Sequence, residues 1–165
     1  MRLKIFSNLL VLLFLVTSAV ATAQSVIECP AHQLDVSKVD FSANECKTST
    51  MRRYIMTKKS VWILVSDPVV PIFQGDPKPL GLFISGWISS NVYFNDIKIG
   101  ANGVSSLEYN TEIPGTYDWV GYVPQSTLKE SNQIVMHLSS FNTPHINSHP
   151  FNDFYIDIYQ HPTKK

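Results

Sequence analysis

Asn91-Val92-Tyr93-Phe94-Asn95-Asp96-Ile97-Lys98-Ile99-Gly100 is the stretch whose reading decides the fold class. Val92-Tyr93-Phe94 and Ile97-Lys98-Ile99 are rich in β-branched and aromatic residues, which favour a pleated, half-buried surface. Between them sit Asn95 and Asp96, which tolerate the positive φ of a tight two-residue turn. The segment therefore predicts a β-hairpin. Ala101-Asn102-Gly103 then breaks its second strand.

The same grammar extends in both directions. Val61-Trp62-Ile63-Leu64-Val65 is apolar on both faces and predicts a central strand buried on both sides, closed by a turn at Asp67-Pro68. Gln74 to Pro79 predicts a loop. Leu80 to Ile88 predicts a strand with Leu80, Leu82 and Ile84 on one face, and Gly86 marks a bulge or the close approach of another backbone. Downstream, Ile113-Pro114-Gly115 predicts a turn before a strand at Tyr117 to Val123, and Pro124 to Lys129 a single helical turn. Ile134, Met136 and Leu138 alternate with Val135, His137 and Ser139, which predicts a strand with one buried face; Phe154, Ile156 and Ile158 repeat the device. No segment sustains helical periodicity for long. About eight strands result, which predicts an all-β, antiparallel β-sandwich of jelly-roll type.

The N-terminus predicts export. Arg2 and Lys4 precede an apolar run from Leu9 to Val16, and Ala21-Thr22-Ala23 has the small-x-small form that a signal peptidase cuts after, which places the mature start at Gln24. The apolar run is shorter than the roughly 20 residues that span a bilayer. Cleavage leaves about 140 residues, the size of one ordinary domain. The expected organisation is a signal peptide over 1–23, an arm over 24–60 carrying the first strand, a sandwich over 61–160 forming one domain with that arm, and a frayed tail over 161–165. Cys29 and Cys46 are the only cysteines. In an exported chain they should pair, closing a loop of roughly 17 residues and restricting the unfolded chain by about 3 kcal/mol in the loop-entropy model. A reactive thiol or a metal site is the alternative, but neither cysteine has a second Cys or His at ligand spacing. With a formal net charge of +0 and 16% charged residues, the chain has no basic footprint for a phosphate backbone, so nucleic acid is not an expected partner.

Several segments share a pattern: Leu80-Gly81-Leu82-Phe83-Ile84-Ser85-Gly86, Asn91 to Asp96 with Ile99 to Gly103, and Tyr122-Val123-Pro124 with Leu128, Asn132 and the strand Ile134 to Ser140. Together they resemble the galactose-binding-like jelly roll of some glycosidase sugar-binding domains. More closely, they resemble the periplasmic input domains of bacterial membrane sensors such as histidine kinases and diguanylate cyclases. The likeness covers most of Val61 to Tyr159, and the paired cysteines suit the sensor version. It implies a fold, and a binding rather than a catalytic role, but not a ligand. In such sensors a membrane span and a signalling domain follow the jelly roll, whereas this sequence stops at Lys165. The resemblance therefore implies either a module excised from a membrane sensor or a free-standing exported relative.

Candidate chemistry is sparse. The carboxylates Asp67, Asp76, Glu108, Glu112, Asp118, Asp153 and Asp157 are scattered over turns and strands, and none pairs as a glycosidase acid and base would. His145 and His149 stand four apart, with His137 and His161 as further imidazoles. That spacing aligns metal ligands on a helix, and Pro144, Asn147 and Pro150 make the segment a loop. A polar surface loop that contacts a ligand is expected there, with no metal and no cofactor. Trp87 and Trp119, with Tyr93 behind them, are candidate stacking surfaces for a sugar or another flat ligand; their alternative is sheet packing. Asn102 and Asp118 lie in or beside turns, where they either bind hydroxyls or cap the turns. The expected function is a non-catalytic exported module binding a small molecule, carbohydrate among the candidates, or an envelope protein. The alternatives are a dedicated carbohydrate-binding module and a structural envelope protein.

Overall fold

The computed structural model describes residues 25–50, 54–55, 59–68, 70, 80–142 and 153–160, with the backbone alone at 49–50, 54–55 and 153–160. The predicted signal peptide, the loop at Gln74 to Pro79, the histidine loop and the tail lie outside the described residues. The strands are β1 (Ser25–Pro30), β2 (Lys47–Thr50), β3 (Tyr54–Ile55), β4 (Ser60–Ser66), β5 (Leu80–Ser85), β6 (Ser89–Phe94), β7 (Ile97–Asn102), β8 (Asp118–Val123), β9 (Gln133–Ser139) and β10 (Asp153–Gln160). They form two antiparallel sheets, one ordered β2-β1-β4-β9-β6-β7 and the other β3-β10-β5-β8. Short 3-10 turns occupy Val36–Lys38, Tyr109–Thr111 and Gln125–Thr127. Strands β2 and β3 take the total past the expected eight. The polar Lys47-Thr48-Ser49-Thr50 carries no alternation that would have marked it.

Alternation sets the core. Val61, Ile63 and Val65 of β4, Val92 and Phe94 of β6, and Ile134, Met136 and Leu138 of β9 face inward. They meet Leu80, Leu82 and Ile84 of β5 and Val123 of β8 in one buried cluster. Each such side chain stabilises the fold by about 1.5–3 kcal/mol through area removed from water. The two sheets thus make a β-sandwich.

The hairpin forms where its sequence places it. Asn95 and Asp96 have φ of 47° and 71°, as a turn of the mirror-image type requires. The Asn95 amide fixes the turn further, donating from Nδ2 to Thr127 O (2.6 Å) and Asn132 Oδ1 (2.8 Å), while its Oδ1 accepts from Gln133 N (2.8 Å).

Two strand readings change. Leu80 was expected to run in one strand to Ile88, but β5 stops at Ser85, because Gly86 (φ 145°) turns the chain into β6. Strand β9 was expected to bury one face and instead buries both. Its outer face and that of β4 are covered by the Ala31–Cys46 segment, where Val36, Val39 and Phe41 pack against a second buried cluster of Cys29, Trp62 and Val135. The two-sided burial read from Val61 to Val65 is observed in β4, where of these five residues only Leu64 stays half-buried. Cys29 and Cys46 are joined as a disulfide, which ties this covering segment to β1 and suits an oxidising compartment. No helix among the described residues is long and apolar enough to cross a membrane.

Candidate functional site

Three of the residues singled out from the sequence, Trp87, Asn102 and Asp118, meet at one end of the sandwich. The turn Gly86–Ile88 between β5 and β6 lies against the segment Gly115–Tyr117 that leads into β8. The two are joined by Gly86 N donating to Tyr117 O at 2.7 Å. Asn102, at the end of β7 and almost fully buried, holds them together. Its Nδ2 donates to Ile88 O (3.2 Å) and Thr116 O (2.8 Å), and its Oδ1 accepts from Thr116 N (2.8 Å) and Thr116 Oγ1 (3.1 Å). With its amide so engaged, Asn102 positions the site and presents nothing to a ligand.

What the end of the sandwich presents is aromatic and acidic. Trp87 is 36% exposed, and its ring sits 5.5 Å from that of Tyr117 at an interplanar angle of 59°. Such a tilted pair leaves ring surface toward solvent while each ring supports the other. Asp118 is exposed next to this pair; its Oδ1 accepts from Ser85 Oγ at 2.8 Å, which leaves Oδ2 for another donor. The β5–β8 register sets Ser85 opposite Asp118. Val104 and Ile113, joined by a two-way backbone bridge, add exposed aliphatic surface along the same excursion between β7 and β8.

Trp119 takes the other role weighed for it. It faces inward from β8, and its ring is wedged between Gly100 of one sheet and Gly121 of the other. A Cβ at either glycine would stand 2.4 Å and 2.3 Å from ring carbons. It closes the edge of the sandwich where β7 and β8 meet, so it is a packing residue and not a stacking surface. Tyr93 lies on the covered outer face, 6.2 Å from Trp62. His145 and His149 lie outside the described residues.

A second polar assembly escaped sequence reading. Cys29, Trp62, His137, Asn91 and Ala101 form one transverse row across β1, β4, β9, β6 and β7. In that row His137 is fully buried. Its Nε2 shares a hydrogen bond with Ser60 Oγ and its Nδ1 with Ser105 Oγ, both 2.8 Å, and Trp62 lies 5.0 Å away ring to ring. Asn91 Nδ2 donates to Ser105 Oγ at 2.8 Å. Burial disfavours the charged imidazolium and lowers the pKa of His137 to about 4. Nearby, the buried Glu112 accepts from Ser89 Oγ (3.1 Å), Phe141 N (2.6 Å) and Asn142 N (3.0 Å). Both groups are thus engaged in tying strands and loops together. A histidine that alternates with Met136 and Leu138 reads as solvent-facing unless the covering segment is known, and Glu112 reads as one more turn carboxylate. Tyr117 had a discernible signal, an aromatic two residues after the Pro114-Gly115 turn.

No protein-family model matches this chain, and no curated protein matches it.

Proposed function

We propose that the chain is an exported, non-catalytic binding module of jelly-roll type, akin to the periplasmic input domains of bacterial sensors. Its ligand docks at the sandwich end formed by Trp87, Tyr117 and Asp118. The observation that carries this reading is the half-exposed, tilted Trp87–Tyr117 pair beside the Asp118 carboxylate, on a frame held by Asn102. Flat apolar ring faces next to one oriented acceptor suit a pyranose, whose C–H face stacks while its hydroxyls donate. A small polar ligand of the carbohydrate class is therefore the leading candidate. The non-catalytic part of the reading rests on His137 and Glu112, buried titratable groups whose hydrogen-bonding atoms serve the architecture.

Titration of the mature chain with a panel of mono- and oligosaccharides, followed by tryptophan fluorescence, tests the proposal. Binding should be saturable, lost in Trp87→Ala and weakened about tenfold in Asp118→Asn, the loss of one hydrogen bond to a charged group. A flat response across the panel, or binding indifferent to both substitutions, overturns the site. Turnover of chromogenic glycosides that disappears on replacing one carboxylate overturns the non-catalytic reading.

A second reading, an envelope protein that holds a protein partner, is favoured by β8, whose Val120 and Tyr122 are 46% and 59% exposed on the outer face of the four-stranded sheet. It predicts a stable complex in envelope extracts that Tyr122→Ser disrupts; recovery as a free monomer counts against it.

A further inference from the structure

Strand β8 ends the four-stranded sheet and is hydrogen-bonded to β5 on one side. Among the described residues no strand pairs with its other side, so a row of backbone N–H and C=O groups there lacks a ladder partner. Proteins that stay monomeric blunt such an edge with a lysine, a proline, a bulge or sheer shortness. Strands β2, β7 and β3 each carry one of these devices. β2 reads Lys47-Thr48-Ser49-Thr50, with Lys47 exposed. β7 presents an exposed Lys98 and bulges at Ile99, which the register with β6 skips between Gly100 and Lys98. β3 is two residues long. β8 has no such device. Asp118-Trp119-Val120-Gly121-Tyr122-Val123 contains no lysine, arginine or proline, and its register with β5 runs unbroken over all six residues.

The partner that fits this edge is a second copy of it. Two antiparallel β8 strands related by a two-fold axis at Val120 pair Asp118 with Tyr122 of the second copy, Trp119 with its Gly121, and Val120 with its Val120. Residues directly opposite share a face, so the exposed Val120 and Tyr122 of both copies gather into one outer patch while Trp119 stays inward. Like charges do not meet, because the one carboxylate of the strand faces a phenol. Trp119, whose ring already fills the space over its own Gly121, faces a residue without a side chain. Other registers lose these matches. A shift of one residue sets Val120 and Tyr122 opposite inward-facing positions. A shift of two sets Trp119 opposite Val123 or opposite a second Trp119.

We propose that two copies of the chain associate edge to edge through β8 about this axis, joining their four-stranded sheets into one continuous sheet. The proposal goes beyond the ligand site at Trp87 and rests on the second reading of β8, whose partner it names. One strand edge and the Val120–Tyr122 patch make an interface at the small end of the specific range, so the dimer forms in about the micromolar range and exchanges with monomer.

The test is sedimentation equilibrium of the chain from Gln24 onward, at concentrations from about 1 to about 500 µM. The mass should rise from monomer to dimer and no further. Val120→Lys, which sets two ammonium groups face to face at the axis, should raise the dimer Kd at least about tenfold while the amide NMR spectrum stays native, since the position is half-exposed. Val120→Cys should cross-link the two copies under a mild oxidant, because the axis holds the paired positions about 5 Å apart between Cβ atoms. Lys98→Cys, on the β7 edge, should not. A chain that stays monomeric at about 500 µM overturns the proposal. So does a dimer indifferent to Val120→Lys, or one that Lys98→Cys links as readily as Val120→Cys. If the chain stays monomeric but is found in an envelope complex with a different protein, which Tyr122→Ser disrupts, the self-pairing falls and the second reading of β8 stands. Dimerisation lost in Val120→Lys upholds both.

Discussion

Acidification should destabilise this protein through His137 from about pH 6.5 downward. The imidazole is neutral and buried in the native state, with a pKa of about 4, and in the unfolded chain it reverts to the ordinary value near 6.5. Between those values the unfolded state binds the additional proton, so stability is fully present above about pH 6.5 and falls as pH drops toward 4. At 1.36 kcal/mol per unit of pKa difference, the loss relative to neutral pH is about 2 kcal/mol at pH 5 and about 3 kcal/mol at pH 4. For a domain of ordinary stability, that is a large fraction of the total. Asp35 and Asp40 work in a different window. Hydrogen bonds from Ser37 and Ser42 hold their pKa values below 3.8, so their contribution is present above that value and is lost only at lower pH. Urea unfolding of the chain from Gln24 onward at half-unit steps from pH 7.5 to 4 measures the slope, and His137→Gln run in parallel removes its source. The variant should be less stable at pH 7 yet show a shallower decline, with the two curves converging toward pH 4. A titration of the His137 ring protons by NMR supplies the independent check. A midpoint between 6 and 7, or parallel curves for the two proteins, would refute the account of an imidazole held neutral by burial.

Other expectations follow from packing and backbone. Gly100→Ala and Gly121→Ala each put a methyl against the Trp119 ring and should cost about 1–3 kcal/mol by chemical denaturation; combined with Trp119→Ala, most of that penalty should vanish, since the ring is what the methyl meets. Reducing the disulfide, or replacing both cysteines with serine, should lower stability by about 2–4 kcal/mol and raise the exposure of Trp62 to quenchers, because the covering segment loses its tie. Asp96→Gly should leave stability unchanged or raise it by up to about 1 kcal/mol, as glycine suits a φ of 71°. Asn95→Gly, which suits the turn equally, should still cost about 2 kcal/mol or more by thermal unfolding, through the lost hydrogen bonds to Thr127, Asn132 and Gln133.

The parts of the fold legible in the sequence are those where one local signal suffices. The Asn95-Asp96 turn announces itself by residue type, and the unbroken apolar run at Val61 to Val65 requires cover on both faces. The disulfide followed from compartment and cysteine count. What stayed hidden depends on partners distant in sequence. Nothing near Ile134 to Ser139 tells that Ala31–Cys46 will fold over it, so His137 reads as solvent-facing. Trp119 and Trp87 look alike as strand-end aromatics, and what separates them is a pair of glycines, one on a different strand, that make room for only one ring. Ala101-Asn102-Gly103 was expected to break the strand, yet β7 runs on through Asn102, and the role of Asn102 in joining two loops appears only when Ile88 and Thr116 are brought to its side.

The two-sided cover of β4 and β9 also sets how the molecule opens. Amide hydrogens on these two strands are bonded to neighbours on both edges and lie beneath packed side chains above and below. Exchange there waits on global unfolding, whereas β7 and β8, each bonded on one edge only, can release their protons in smaller, more frequent fluctuations. The Ala31–Cys46 segment is therefore more than a lid: by shielding the middle of the larger sheet from water, it makes the slowest-exchanging part of the chain a layer that touches neither end of the sandwich. The loops at the ends of the sandwich then move against a centre that stays closed while they fluctuate.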